Sequence, residues 1–275
     1  MTLTDLGRPS AVVDLPPPSR RRAVDLLAAH RRPVVVVLRA AALVALYLLY
    51  AHARNAHGVA SADAWETARR HADALVALQD ALHLPPERDV QALVLGSEWL
   101  VRACGAFYGT AHFAVTVGVV LLLVVARSDL LVHWATVLVG STFVAVGVFA
   151  LHPVAPPRLM PDGQRTVDTL ATVGGVWSYD HGVLERISDP FAALPSLHLG
   201  WATWCALVLW VVAAGTVHRR AWRAVAVAHP SLTLVAVLVT GNHWYVDAVA
   251  GVLLVLAVAG VARLVSARAE RRPAP

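Results

Sequence analysis

The sequence predicts an all-α integral membrane protein, a six-helix bundle with an outer amphipathic helix. Three observations carry this. The 275 residues are 57% hydrophobic and only 15% charged, whereas a soluble globular domain carries about 25% charged residues. The mean hydropathy is +0.60. The apolar residues fall in long unbroken runs, and about 20 such residues cross the hydrocarbon layer as a helix. Together these exclude most soluble enzymes. Cys104 and Cys205 lie in apolar runs and read as small hydrophobes of packed helices, not as a disulfide scaffold.

Residues 1–32 are polar, Pro-rich and Arg-rich, as in Pro16-Pro17-Pro18-Ser19-Arg20-Arg21-Arg22. They lack the apolar core and cleavage site of a signal peptide and read as a disordered cytoplasmic tail. Spanning helices are expected over 33–52, 103–126, 130–152, 195–214, 222–241 and 243–265, within one catalytic domain over 33–265. Residues 266–275 read as a second cytoplasmic tail. Between the first two spans, 62–84 reads as the amphipathic helix. Trp65, Ala68, Ala72, Leu75 and Leu82 share one face, with Glu66, Arg70, Asp73 and Asp80 opposite. Asp63 and Glu66 have capping-box spacing, and Pro85-Pro86 ends the helix. Such a helix lies in the membrane interface or packs on the bundle; the sequence leaves both open. The long segment 153–194 is polar and punctuated by Pro and Gly, the pattern of a functional or disordered loop.

All 23 basic residues are arginine, and the formal net charge is +5. With six spans, and leaving out Arg39 inside the first span and Asp247 at a helix start, the side bearing both termini holds fourteen arginines and five acids; the other holds eight arginines and twelve acids. The positive-inside rule then places both termini in the cytoplasm. The basic excess is a topological signal, and no nucleic-acid partner is expected. His229-Pro230 in the fifth span reads as a kink, and Arg39 in the first as a snorkelling or paired charge.

Three polar clusters fall at the outer ends of spans on this topology: His152 to Leu159, Leu194 to Gly200, and Thr240 to Asp247. In the third, His243 and Asp247 are four apart and would share a helix face. The carboxylate would accept the imidazole Nδ1–H and leave Nε2 as a nucleophile or base. Asn242 reads as the N-cap, Gly241 as a tight entry, and Trp244 and Tyr245 as membrane-boundary residues. In the second, Pro195 and Ser196 start a helix with His198 in its first turn. Two helix starts, two histidines and Arg158 would make an anion pocket without lysine. Nucleophile, acid and anion clamp suit phosphoryl transfer. Metal is the chemical rival: His152, His181, His198 and His243 could gather, but no pair has His-x-x-x-His spacing. No metal and no cofactor are expected.

These residues resemble the type-2 phosphatidate phosphatase superfamily, a six-helix membrane fold, over about 100–265. Pro195-Ser196-Leu197-His198 is similar to its Pro-Ser-Gly-His signature, with Leu197 in place of the glycine. His243 to Asp247 is similar to the end of its Ser-Arg…His-x-x-x-Asp signature. The arginine of that signature would fall at Val237, and the lysine of the first signature is missing; Arg158 is the matching cation. Ala155-Pro156-Pro157, Ser196-x-His198, Gly241-Asn242-His243 and Tyr108-x-x-x-His112 resemble the branch containing inositol phosphorylceramide synthases. The resemblance implies His243 as the nucleophile that becomes phosphohistidine, Asp247 as its orienting acid and His198 as the acid–base. It also implies substrate contacts at Arg158, Ser196, Asn242, His112 and Tyr108.

The expected protein is therefore a multi-pass cell-membrane enzyme with its site on the extracytoplasmic face. It would act as a lipid phosphatase or phosphotransferase, with a membrane lipid as substrate. Transfer of an inositol-phosphate or other phospho-headgroup to a lipid alcohol is the alternative; a transporter or assembly subunit is the alternative of another class. His112 is an intramembrane candidate or an interhelical hydrogen bonder. Arg165 and Arg186 read as phosphate contacts or solvated loop charges.

Overall fold

A computed structural model describes residues 62–161, 166–173 and 190–270, with Ala269 and Glu270 described by backbone alone. All lie within the unit Leu46–Pro275. The expected first span at 33–52 falls outside the described residues, as do Arg39, Arg165, His181 and Arg186.

The described residues form helices joined by loops, and among them the one β contact is an isolated bridge between Val154 and Ala192. In chain order the helices are α1 (Ala62–Ala81), α2 (Glu87–Leu95), α3 (Glu98–Ala126), α4 (Ser128–Leu151), the one-turn α5 (Thr169–Thr172), α6 (Leu197–Ala213), α7 (Arg219–Val239) and α8 (Tyr245–Glu270). Among them α3, α4, α7 and α8 are long and apolar enough to cross a membrane, so the chain is a multi-pass membrane protein. The expected span at 195–214 is the exception: α6 has 17 residues, about 25 Å of helix against a hydrocarbon layer of about 30 Å.

The packing explains α6. It lies against α3, α4, α7 and α8. Its buried residues run all round, from Leu199 through Trp204 and Cys205 to Ala213, the pattern of a helix enclosed by others. Its two tryptophans satisfy their indole N–H groups sideways: Trp204 donates to the Trp134 carbonyl at 2.8 Å and Trp201 to Thr142 Oγ1 at 3.0 Å. Cys205 is fully buried beside Thr116, and Cys104 is half-buried. Pro230 sits inside α7, which runs on past it to Val239.

Helix α1 packs on the loops that precede α6 and α8. Ala68, Ala72 and Leu75 are buried with Val154, Ala155, Met160, Phe191, Ala193 and Trp244. This decides one expectation and corrects three. Trp244 belongs to that core at 2% exposure, with its Nε1–H on the Ala155 carbonyl at 2.9 Å; α1 covers the ring that the sequence placed at a membrane boundary. Leu82 is exposed, because α1 ends at Ala81 and the chain turns through a positive φ of 55° at His83. Asp63 lies inside the first turn, and Glu66 pairs with Arg69 at 3.2 Å, so the two do not form a capping box.

Candidate active site

Two histidines from opposite ends of the sequence pattern meet. His198 sits in the first turn of α6. Ser196 is the N-cap of that helix, its Oγ accepting the Leu199 N–H at 3.3 Å. His243 lies in the loop between α7 and α8, and its Nε2 is 3.4 Å from His198 Nδ1. The α6 start is held against α8 by the Ser196 N–H donating to the Asp247 carbonyl at 2.9 Å. Gly251 permits this approach, since a Cβ there would collide with the Ser196 carbonyl.

The expected helical pairing of His243 with Asp247 is replaced by a different geometry. Helix α8 begins at Tyr245, so His243 precedes it and the two side chains are not stacked along one helix face. Asp247 Oδ2 instead accepts the Trp244 N–H at 2.8 Å, the reach-back contact of a capping box. It lies 3.5 Å from His243 Nδ1, while the Ala193 carbonyl lies at 2.9 Å. A carbonyl only accepts, so Nδ1 carries a hydrogen and the neutral ring presents its lone pair at Nε2. The expected tautomer holds, but a backbone oxygen holds it together with the acid. Asp247 is fully buried, and its Oδ1 has no hydrogen-bond partner among the described residues.

Asn242 is not the N-cap of α8. Its Oδ1 accepts from Arg158 Nε at 2.9 Å and its Nδ2 donates to the Thr240 carbonyl at 3.2 Å. The Arg158 N–H donates to the Gly241 carbonyl at 2.9 Å, and Nη1 pairs with Asp168 Oδ2 at 2.9 Å. Asp168 in turn caps α5 through the Ala171 N–H. Gly241 has φ 68°, and a Cβ would strike Thr166 Oγ1. The expected tight entry is thus present, and it brings the loop carrying Arg158 beside the loop carrying His243.

Tyr108 and His112, one turn apart on α3, border His198. The Tyr108 ring stacks on it with centroids 4.3 Å apart, and the His112 ring lies at 4.2 Å, tilted by 58°. His112 Nδ1 donates to the Tyr108 carbonyl at 3.0 Å, which leaves its Nε2 as the acceptor nitrogen. The structure therefore brings together His243, His198, Asp247, Ser196, Asn242, Arg158, Tyr108 and His112. His152 goes elsewhere: it stacks on His71 at 3.7 Å, where partial burial and then His71 hold its pKa below the usual histidine range. Among the described residues no group of three or more His, Cys, Asp or Glu converges on a metal position.

The sequence reading missed four participants. Asp168 pairs with Arg158. Gln79, Glu87 and Gln91 reach the site from α1 and α2: Glu87 Oε1 accepts the Tyr245 N–H at 3.0 Å, Gln79 Oε1 the Val246 N–H at 3.3 Å, and Gln91 bonds to Val167 and Val239. The N–H groups of Trp244, Tyr245 and Val246 at the start of α8 are thus occupied by side chains, which corrects the expectation that they face an anion. Gln79 near the end of α1, and Glu87 and Gln91 on the short helix after Pro85-Pro86, look like any solvated face; only their burial, at 1–4% exposure, marks them.

Comparison with known families decides the class. The PAP2 superfamily model matches residues 73–261. The chain belongs to the PAP2 superfamily. It is thereby a membrane enzyme of the phosphatase or phosphotransferase kind. The matched segment includes every candidate residue above. No curated protein and no solved structure matches the chain in the same comparisons.

Proposed function

We propose that this protein is a membrane lipid phosphatase or phosphotransferase that works through a phosphohistidine at His243. The observation that carries the reading is the facing pair of imidazoles, Nε2 of His243 and Nδ1 of His198, 3.4 Å apart with the far side of His243 held by an acceptor. Since His243 Nε2 offers a lone pair, the hydrogen between the rings belongs to His198. A phosphorus arriving at Nε2 takes the place of that contact. The Nε2–P bond forms, the P–O bond to the lipid breaks, and His198, an imidazolium with hydrogen on both ring nitrogens at this step, gives its Nδ1–H to the leaving oxygen and is left neutral. The His243 ring becomes cationic, and buried Asp247 offsets that charge. In the second half His198 takes a proton from the incoming hydroxyl, whose oxygen attacks phosphorus and restores His243.

Arg158 and Asn242 lie on one side of this centre and bind the phosphoryl oxygens; Tyr108 and His112 pack behind His198 and fix its ring. The substrate is read as lipidic because both histidines stand at the starts of helices packed among others long and apolar enough to cross a membrane. Transfer to an alcohol is the second reading, and one feature favours it. Val237, where the related signature carries arginine, is a fully buried apolar residue, and the charge of Arg158 is offset by Asp168. A weakly cationic grip fits a phosphodiester, with one charge fewer than a monoester. The test is a panel of phosphatidate, polyprenyl phosphates and phosphatidylinositol, assayed for free phosphate and for new lipid products. The expected result is turnover by the wild type, a phosphoryl label trapped at residue 243, and loss of at least about 10⁴-fold in His243→Ala. Undiminished turnover by folded His243→Ala sinks the proposal.

A further inference from the structure

The α1–α2 hairpin contributes three long polar side chains to a place where a merely packed hairpin would put apolar ones. Gln79, Glu87 and Gln91 are 4%, 3% and 1% exposed. Burying a carboxyl or an amide is costly unless its polar atoms are bonded. Here each is bonded to backbone far away in sequence. Gln91 Nε2 donates to the carbonyls of Val167 and Val239, both at 2.8 Å, and its Oε1 accepts the Val167 N–H at 2.7 Å. Glu87 and Gln79 take the N–H groups of Tyr245 and Val246. Val239 ends α7 and Tyr245 opens α8. The stretch between them, Thr240 to Trp244, carries Asn242 and His243. The hairpin therefore grips that stretch at both ends, and Asp247 takes the Trp244 N–H.

We infer that the α1–α2 hairpin completes the active site, with Glu87 and Gln79 as positioning residues that hold His243 through the first turn of α8. The inference rests on reading His243 as the nucleophile. Its physical basis is the narrow tolerance of in-line attack: displacement of a reacting group by about 1 Å costs on the order of 10²-fold in rate. Neither side chain touches the reacting atoms. Both fix the backbone two and three residues after His243, and with it the 3.4 Å approach of the two rings.

The experiment compares Glu87→Ala, Glu87→Gln, Gln79→Ala and His243→Ala in the full-length protein in detergent. The probe is dioctanoyl phosphatidate, and rates are normalised to the folded fraction. Glu87→Ala is expected to lower kcat by about 10²-fold while KM stays within about twofold. Glu87→Gln keeps an oxygen for the Tyr245 N–H and is expected to recover to within about fivefold of wild type. A hairpin that only stabilises the fold would reduce the folded fraction and leave normalised kcat unchanged, and that outcome overturns the inference. Should Glu87→Ala not be recovered folded, Gln79→Ala decides in the same way through Val246. A fully active His243→Ala takes down the phosphohistidine reading instead. If no variant releases phosphate from this probe, amide hydrogen exchange decides. Exchange at Tyr245 is expected to rise about tenfold or more in Glu87→Ala, and wild-type exchange there overturns the inference.

Discussion

The starts of α6 and α8 each present a histidine, yet they are built differently. The α6 start has a local cap, Ser196, with His198 two residues later, and a single backbone bond from the Ser196 N–H to the Asp247 carbonyl ties it to α8. The α8 start is assembled from three elements. Asp247 of α8 takes the Trp244 N–H, Glu87 of α2 takes Tyr245 and Gln79 of α1 takes Val246. His243 also leans on Ala193, fifty residues away, just before α6. The difference tracks the proposed chemistry. A ring that accepts and returns a proton is placed by its helix turn and by the Tyr108 and His112 rings packed on it. A ring that attacks phosphorus needs its tautomer, its orientation and its counter-charge fixed together, and one helix turn cannot supply all three.

Several substitutions would break or sharpen this contrast. The largest effect is expected from Asp247→Asn. An amide oxygen can still cap Trp244, but the charge opposing a cationic His243 is gone, and kcat should fall by about 10²- to 10⁴-fold. Single-turnover phosphate release measures this, and a change of less than a few-fold would place the orienting role on Ala193 alone. Gly241→Ala strikes the loop between the two assemblies. The positive φ and the collision with Thr166 Oγ1 should cost about 1–3 kcal/mol, read as a lower Tm in detergent; an unchanged Tm would mean that the loop relaxes freely. Ser196→Ala removes the local cap of α6 and should cost about 1 kcal/mol, a drop of a few degrees in Tm. No drop would mean that packing against α8 alone starts the helix.

The smallest effect is a pH slope. Burial, with the nearby Asp247 charge adding, pushes the Glu87 carboxyl above the usual glutamate range, against the opposing bonds from Tyr245 and Gln79. A carboxyl with a raised pKa in the folded state holds its proton more tightly folded than unfolded. Its contribution to stability is full below the ordinary glutamate value and is lost as pH rises through the raised one. Tm should therefore decline across that interval in the wild type and stay flatter in Glu87→Gln. Equal slopes would remove Glu87 from the account.

Much of the fold is legible in the sequence because hydropathy is a property of composition along the chain. The stretches expected at 103–126, 130–152, 222–241 and 243–265 correspond to α3, α4, α7 and α8. The stretch at 195–214 is a helix too, but one enclosed by its neighbours, and hydropathy does not separate helices that face lipid from those that face helices. The candidate residues were legible as motifs, since histidine, serine and aspartate at set spacings beside span ends have few uses. Their bonding was not. The spacing of His243 and Asp247 suggested a shared helix face, while the chain enters α8 two residues after His243.

The sequence by itself determined that this is a multi-pass helical protein of the PAP2 superfamily and named the residues that gather around His198 and His243. Only the tertiary structure decided what holds them: the Ala193 carbonyl on Nδ1, Asp168 on Arg158, and Glu87, Gln79 and Gln91 around the entry to α8. The physical reason is range. Membrane crossing depends on an unbroken run of about 20 apolar residues and a local cap on residues within one turn, so both leave a contiguous signal in the sequence. A backbone carbonyl has no residue identity, and a buried amide or carboxyl that bonds across 76 to 167 residues has no period, so neither is visible until the chain has folded.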